Sequence, residues 1–142
     1  MAAPMVTFPD ALIGALAILR AGVPGVKFGT IRPEDRPRNS QGLPYVRLTI
    51  DATAVRYPVS RTDYLRVVVW DTATANSLAL AQTCLAVLMA FPGNSDVRSF
   101  GEPIGPTPAS DPDAGPLVNR ASDAGSPFAF FTVAARLRPT TF

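Results

Sequence analysis

Residues able to do acid–base or metal chemistry are few and scattered in this chain. Its 142 residues contain no His and a single Cys, Cys84. Glu34 and Glu102 are the only glutamates. Without His, a Ser/His/Asp or Cys/His nucleophile has no base, and a zinc-type site lacks its usual ligands. The best acidic pair in one segment is Asp111-Pro-Asp113. The rest of that segment supplies few further acids for calcium, so a solvated turn is the simpler reading. Asp51 and Asp63 could meet in space as a general acid–base pair; the alternative is two solvated strand ends. Cys84 sits in an apolar helical run and reads as a small core residue. Gly22-Val-Pro-Gly25 contains proline and follows a helix, whereas a phosphate loop follows a strand.

Arginine remains. Lys27 is the only lysine among 13 basic residues, and these are spread along the chain against 11 acids, for a net charge of +2. That is too weak and dispersed for the electrostatic footprint of a nucleic-acid binder. Arg preference fits either planar, bidentate contacts at interfaces or a GC-rich coding sequence. Arg47, Arg66 and Arg136 fall in the same outward phase of three strands. If those strands are neighbours, they make a basic patch on the sheet face opposite the helices. Its partners are then solvent and acids such as Asp51, or a neighbouring subunit's carboxylates. A nucleic-acid groove would want interleaved aromatics, and Tyr45 and Tyr64 share that phase.

The elements that must position these side chains follow from periodicity. Asp10 is a candidate N-cap for a helix carrying Leu12, Ile13, Ala15, Leu16 and Leu19, which Gly22 and Pro24 end. A short strand is expected over 26–31, then a charged, proline-bearing loop over 32–42. Tyr45–Asp51 alternates Val46, Leu48 and Ile50 against Tyr45, Arg47, Thr49 and Asp51. A linker over 52–62 leads to a second alternating strand from Asp63 to Trp70. Asp71-Thr72 would cap a long helix over 73–91, with Leu78, Ala81, Leu85, Leu88 and Met89 as its stripe and Leu80, Cys84, Val87 and Phe91 widening it. Pro92-Gly93 stops it. A short strand is expected within 97–104, a Pro/Gly-rich extended loop over about 105–126, and a last strand over 128–138.

The sum is a single α/β (α+β) domain, its core over about 8–104 and 127–138. Two helices pack on one face of a four- or five-stranded, mostly antiparallel or mixed sheet. The expected inner layer is Val46, Leu48, Ile50, Leu65, Val67, Val69, Phe131 and Val133 against Leu12, Leu16, Leu78, Leu85 and Leu88. A chain of this length buries enough surface to fold without disulfide or metal. No secretion signal is expected in Met-Ala-Ala-Pro. The longest apolar stretch, over 78–91, falls short of the about 20 residues a membrane span needs.

Taken in order, these segments resemble the tail terminator proteins of long-tailed bacteriophages, especially those of actinobacterial hosts. The resemblance rests on the helix Pro9-Asp-Ala-Leu-Ile-Gly-Ala-Leu, the segment Ile31-Arg-Pro-Glu-Asp-Arg-Pro, and the strand Leu43-Pro-Tyr-Val-Arg-Leu. It continues through Tyr64-Leu-Arg-Val-Val-Val-Trp-Asp, the helix start Thr72-Ala-Thr-Ala-Asn, Ile104-Gly-Pro106, an acidic turn, and Pro127-Phe-Ala-Phe-Phe-Thr-Val-Ala-Ala-Arg-Leu-Arg138. It spans nearly the whole chain through patterns that no single signature defines.

The resemblance implies a structural virion protein without enzymatic activity or cofactor. It would form a ring, usually a hexamer, assembled in the host cytoplasm and placed at the tail and neck of the virion. Its partners would be further copies, the tail tube protein and the head–tail connector or stopper protein. Genome DNA would pass through without specific binding, and no membrane is involved. Candidate contact residues are Arg32, Arg36 and Arg38 in the first loop, Pro106, Pro108, Asp111 and Asp113 in the second, and Arg47, Arg66 and Arg136 on the sheet. Two alternatives remain: another neck component (a head-completion or stopper protein), or a small ligand-binding domain with a pocket at Asp51, Asp63 and Trp70.

Overall fold

The computed structural model describes residues 5–32, 42, 44–72, 74–103, 119–123 and 126–141. The order is β1 (Val6–Thr7), α1 (Ala11–Gly22), β2 (Lys27–Gly29), β3 (Tyr45–Arg56), β4 (Ser60–Trp70), α2 (Thr74–Ala90), β5 (Val97–Pro103), β6 (Asn119–Asp123), β7 (Ser126–Leu137) and β8 (Thr140–Thr141). Two helices pack on one mixed sheet in the order β2-β3-β4-β7-β5, with β6 paired to β7 beside that path. The β2–β3 pair is parallel and the other pairs are antiparallel. β1 and β8 form a separate two-stranded ribbon.

Local chemistry sets the helix ends. Asp10 Oδ1 accepts the Leu12 and Ile13 N–H groups at 2.8 and 3.3 Å, satisfying two donors that the first turn of α1 leaves over. The Val23 N–H donates to Leu19 O as α1 ends. After α2, Gly93 adopts φ +93°, and a Cβ there would lie 2.5 Å from the backbone oxygen of Arg98, so only glycine fits. Asn94 Oδ1 then takes the Asp96 and Val97 N–H groups, both at 2.8 Å, and starts β5. The expected Asp71-Thr72 cap reads differently: Asp71 Oδ1 accepts the N–H of Thr72 itself, ahead of the helix start at Thr74.

The core lies between the helices and the strand phase carrying Val46, Leu48, Leu65, Val67, Val69, Phe131 and Val133, all buried. α1 contributes Leu16 and Leu19, and α2 contributes Ala81, Cys84, Leu85 and Leu88. Full burial of one Leu or Val side chain contributes about 1.5–3 kcal/mol. Four expected core residues sit elsewhere. Ile50 is 37% exposed, next to a break in register between Ile50 and Ala52. Leu78 is half-buried, because the buried stripe of α2 starts one residue earlier at Ser77. Met89 is 39% exposed at the edge of that stripe, and Leu12 is partly buried at the core margin.

Two corrections concern the strands. The span 52–62 is not a linker. β3 and β4 continue through it as one ladder, from Ala52↔Tyr64 to Arg56↔Ser60. In the expected extended loop, 119–123 is a strand that pairs with β7, from Asn119↔Phe130 to Asp123↔Ser126. The residues of that loop from 105 to 118 lie outside the described residues.

Candidate assembly surfaces

The sheet face away from the helices carries the arginines. β3, β4 and β7 are adjacent, so Arg47, Arg66 and Arg136 do share one surface. They do not form one cluster. Arg47 stands opposite Val68 and Arg66 opposite Thr49, one step away on the diagonal. Arg136 stands opposite Thr62, four residues along β4 from Arg66, which is about 13 Å along the strand. Arg47 Nε donates to Thr30 O at 3.0 Å. Arg66 Nε donates to Asp51 Oδ2 at 3.0 Å, and its guanidinium lies 5.7 Å from the Phe130 ring centre. These two positive charges are therefore engaged within the chain. Both Arg66 and Asp51 are well exposed, so their pair adds about 0–1 kcal/mol.

Beside them the face is more buried than its alternation suggests. Tyr45 and Trp70 stack, ring centres 6.0 Å apart and planes 15° from parallel. The Tyr45 hydroxyl donates to Ile31 O at 2.7 Å. Gly29 leaves room for this ring, since a Cβ there would come 2.6 Å from the Tyr45 oxygen. The stack ties β2, β3 and β4 together from behind. Sequence alternation placed Tyr45 and Trp70 on the outer phase correctly but gave no sign that they would bury each other.

Asp51 and Asp63 fall on opposite faces. The register break after Ile50 keeps Asp51 on the outer face with Arg66, while Asp63 is in phase with Leu65 and Val67. They cannot act as a carboxylate pair, and Trp70 lies at the other end of β4 from Asp63, so no pocket joins the three. Asp63 is only 1% exposed. Its Oδ1 accepts from Thr53 Oγ1 at 2.8 Å and Arg61 Nε at 2.9 Å, while Oδ2 is buried without a hydrogen-bond partner. Thr53, Arg61 and Asp63 thus pin the lower end of the β3–β4 hairpin. Among the described residues, no group of three or more His, Cys, Asp or Glu side chains comes together.

The helix layer has its own surface. Ala17, Ile18 and Ala21 of α1 face Val87 and Ala90 of α2, with Phe91 just past its end, across an open apolar groove. Ile13 is 67% exposed on the same helix layer. Beneath it Cys84 is buried, and desolvation pushes its thiol pKa up from 9.0 to about 12, so it is inert as a nucleophile. Among the described residues, no helix is long and apolar enough to cross a membrane.

Of the candidate contact residues, Arg32 is exposed just beyond β2. Arg36, Arg38, Pro106, Pro108, Asp111 and Asp113 lie outside the described residues. The surface that sequence reasoning missed is the lower half of β3. Its clue was the pair of Thr- and Val-bearing runs flanking Tyr57-Pro58, a turn between two strands. No family model matches the chain, and no curated protein matches it.

Proposed function

We infer that this chain is a structural subunit that works by assembling with copies of itself. The specific reading is a tail terminator: a ring, hexameric in the family it resembles, that caps the phage tail tube and joins it to the head–tail connector. The observation that carries the assembling role is the helix layer, where exposed Ile13, one turn before Ala17 on α1, extends the open apolar groove between Ala17 and Val87. Contiguous apolar surface of this kind marks a contact site on a soluble domain. A second consideration is that the two central arginines of the sheet are already engaged by Thr30 and Asp51. That favours a surface built for shape over one that grips phosphate.

Light scattering on the purified protein tests the assembling role, and a single closed oligomer is expected. Incubation with purified tail tubes tests the terminator role: the protein should bind tube ends and stop further growth. A monomer at all concentrations, with no effect on tubes, refutes both.

A further inference from the structure

The two outer edges of the sheet differ. At one side β5 is closed where it starts: the Asn94 N–H donates to Val97 O at 2.9 Å, and Asn94 Oδ1 takes the Val97 N–H at 2.8 Å. At the other side β2 pairs with β3 only from Tyr45 to Arg47. Among the described residues, no strand lies beside β3 from Leu48 to Arg56. Below the break after Ile50, the β3–β4 ladder is regular from Ala52 to Arg56. This stretch has neither Lys nor Pro, residues that guard sheet edges, and all its side chains are exposed.

Alternation fixes which backbone groups are free. Arg56 O accepts the Val59 N–H at 2.7 Å as the hairpin turns, so the polar backbone groups of Arg56 point towards β4. Along a strand these groups turn to one edge and then the other. Ala52, Ala54 and Arg56 therefore bond inwards, while Thr53 and Val55 offer their N–H and C=O groups outwards. Such a row templates another strand.

The same stretch of a second copy fits this row. A two-fold axis at Ala54 sets Thr53 of each copy opposite Val55 of the other, and every outward group then has a partner. On the helix-side face, Val55, 55% exposed in the single chain, gains a β-branched cross-strand neighbour. On the outer face, Arg56 comes opposite Ala52 of the neighbour and beside its Asp51. Among the described residues Arg56 has no ion pair, and Asp51 gives only Oδ2 to Arg66. The second oxygen of Asp51 can take Arg56, and the axis makes that pair twice. The neighbour's hairpin turn reaches only the level of Ile50, short of Arg47 where β2 ends.

We propose that two copies pair Ala52–Arg56 antiparallel about a two-fold axis at Ala54, which makes one continuous sheet through an isologous contact. The contact rests on the assembling role and not on the ring. A cyclic ring has no two-fold axis, whereas three such pairs about a three-fold axis give a hexamer of dihedral symmetry.

Cysteine cross-linking tests it, because Cys84 is the only native thiol and is buried. Ala54→Cys meets its own copy across the axis at a Cα separation of about 4.5 Å, within disulfide range. Oxidation of this single variant should give covalent dimers and nothing larger. Ala52→Cys, equally exposed, stands about 13 Å along the strand from its own copy and should stay unlinked. Val55→Pro removes an outward N–H and spares the ladder to β4, so it should abolish pairing while the chain stays folded. Arg56→Asp should weaken pairing roughly tenfold, since the axis counts each new like-charge contact twice. An oligomer in which Ala54→Cys links no better than Ala52→Cys, and which ignores Arg56→Asp, overturns this contact and leaves the assembling role standing. A permanent monomer overturns both.

Discussion

The two halves of β3 share one ladder and differ in nearly everything else. From Tyr45 to Leu48 the strand is packed, with Val46 and Leu48 under the helices and Tyr45 against Trp70. From Asp51 to Arg56 every side chain is exposed. β4 pairs with both halves, so hydrogen bonding does not separate them. What separates them is the helix layer and the aromatic stack, which cover only the first half. The ladder decides where a strand runs; burial decides how much each residue there stabilises the fold. The uncovered half is therefore free to serve a contact outside the chain.

Substitutions can break this contrast. Leu48→Ala strikes the covered half and should lower stability by about 2–5 kcal/mol, read as a lower urea midpoint at unchanged slope. A loss as small as that of an exposed residue would mean the helices do not hold this half. Cys84 sharpens the same contrast chemically. Its pKa is raised from 9.0 to about 12, so the unfolded chain ionises first as pH rises above 9. Its contribution is whole below pH 9 and is lost towards pH 12, at about 1.4 kcal/mol per pH unit. Urea titrations across that window should show the slope, and Cys84→Ala should remove it. At pH 8 a thiol reagent should label Val55→Cys rapidly and spare Cys84 in the folded protein.

Asp63→Ala tests the boundary between the halves. It removes the acceptor shared by Thr53 and Arg61 and should destabilise by about 1–3 kcal/mol. A further sign would be faster amide exchange in 52–62 than in 45–48. Neutral stability together with unchanged exchange would show that the hairpin end is held by its ladder alone. Val55→Ser, at a residue 55% exposed, should change monomer stability by no more than about 0.5 kcal/mol. Any larger loss, measured on dilute monomer, would mean this half is covered after all.

Much of the fold was legible. Asp10, Gly22 and Pro92-Gly93 punctuate the helices where they read as stops and starts, because capping and φ preferences are local. Val46, Leu48, Leu65, Val67 and Val69 alternate cleanly, because period two survives wherever one sheet face is buried. The run from Ala52 to Arg56 did not read as a strand, because with both faces exposed no phase is selected. Asp51 and Asp63 were placed as possible neighbours, since nothing in their spacing reports the slip after Ile50. The arginine patch was read correctly as one face and too generously as one cluster.

By itself the sequence determined the two helices, the half-buried runs of β3 and β4 with the phase that faces the core, and how few reactive groups the chain carries. These depend on residue type and short-range periodicity. Tertiary structure alone decided that Tyr45 meets Trp70, that Arg47 and Arg66 are engaged, that Asp63 is buried, and that β7 lies between β4 and β5. Those facts depend on strand order and register, and they join residues tens of positions apart that no local rule connects.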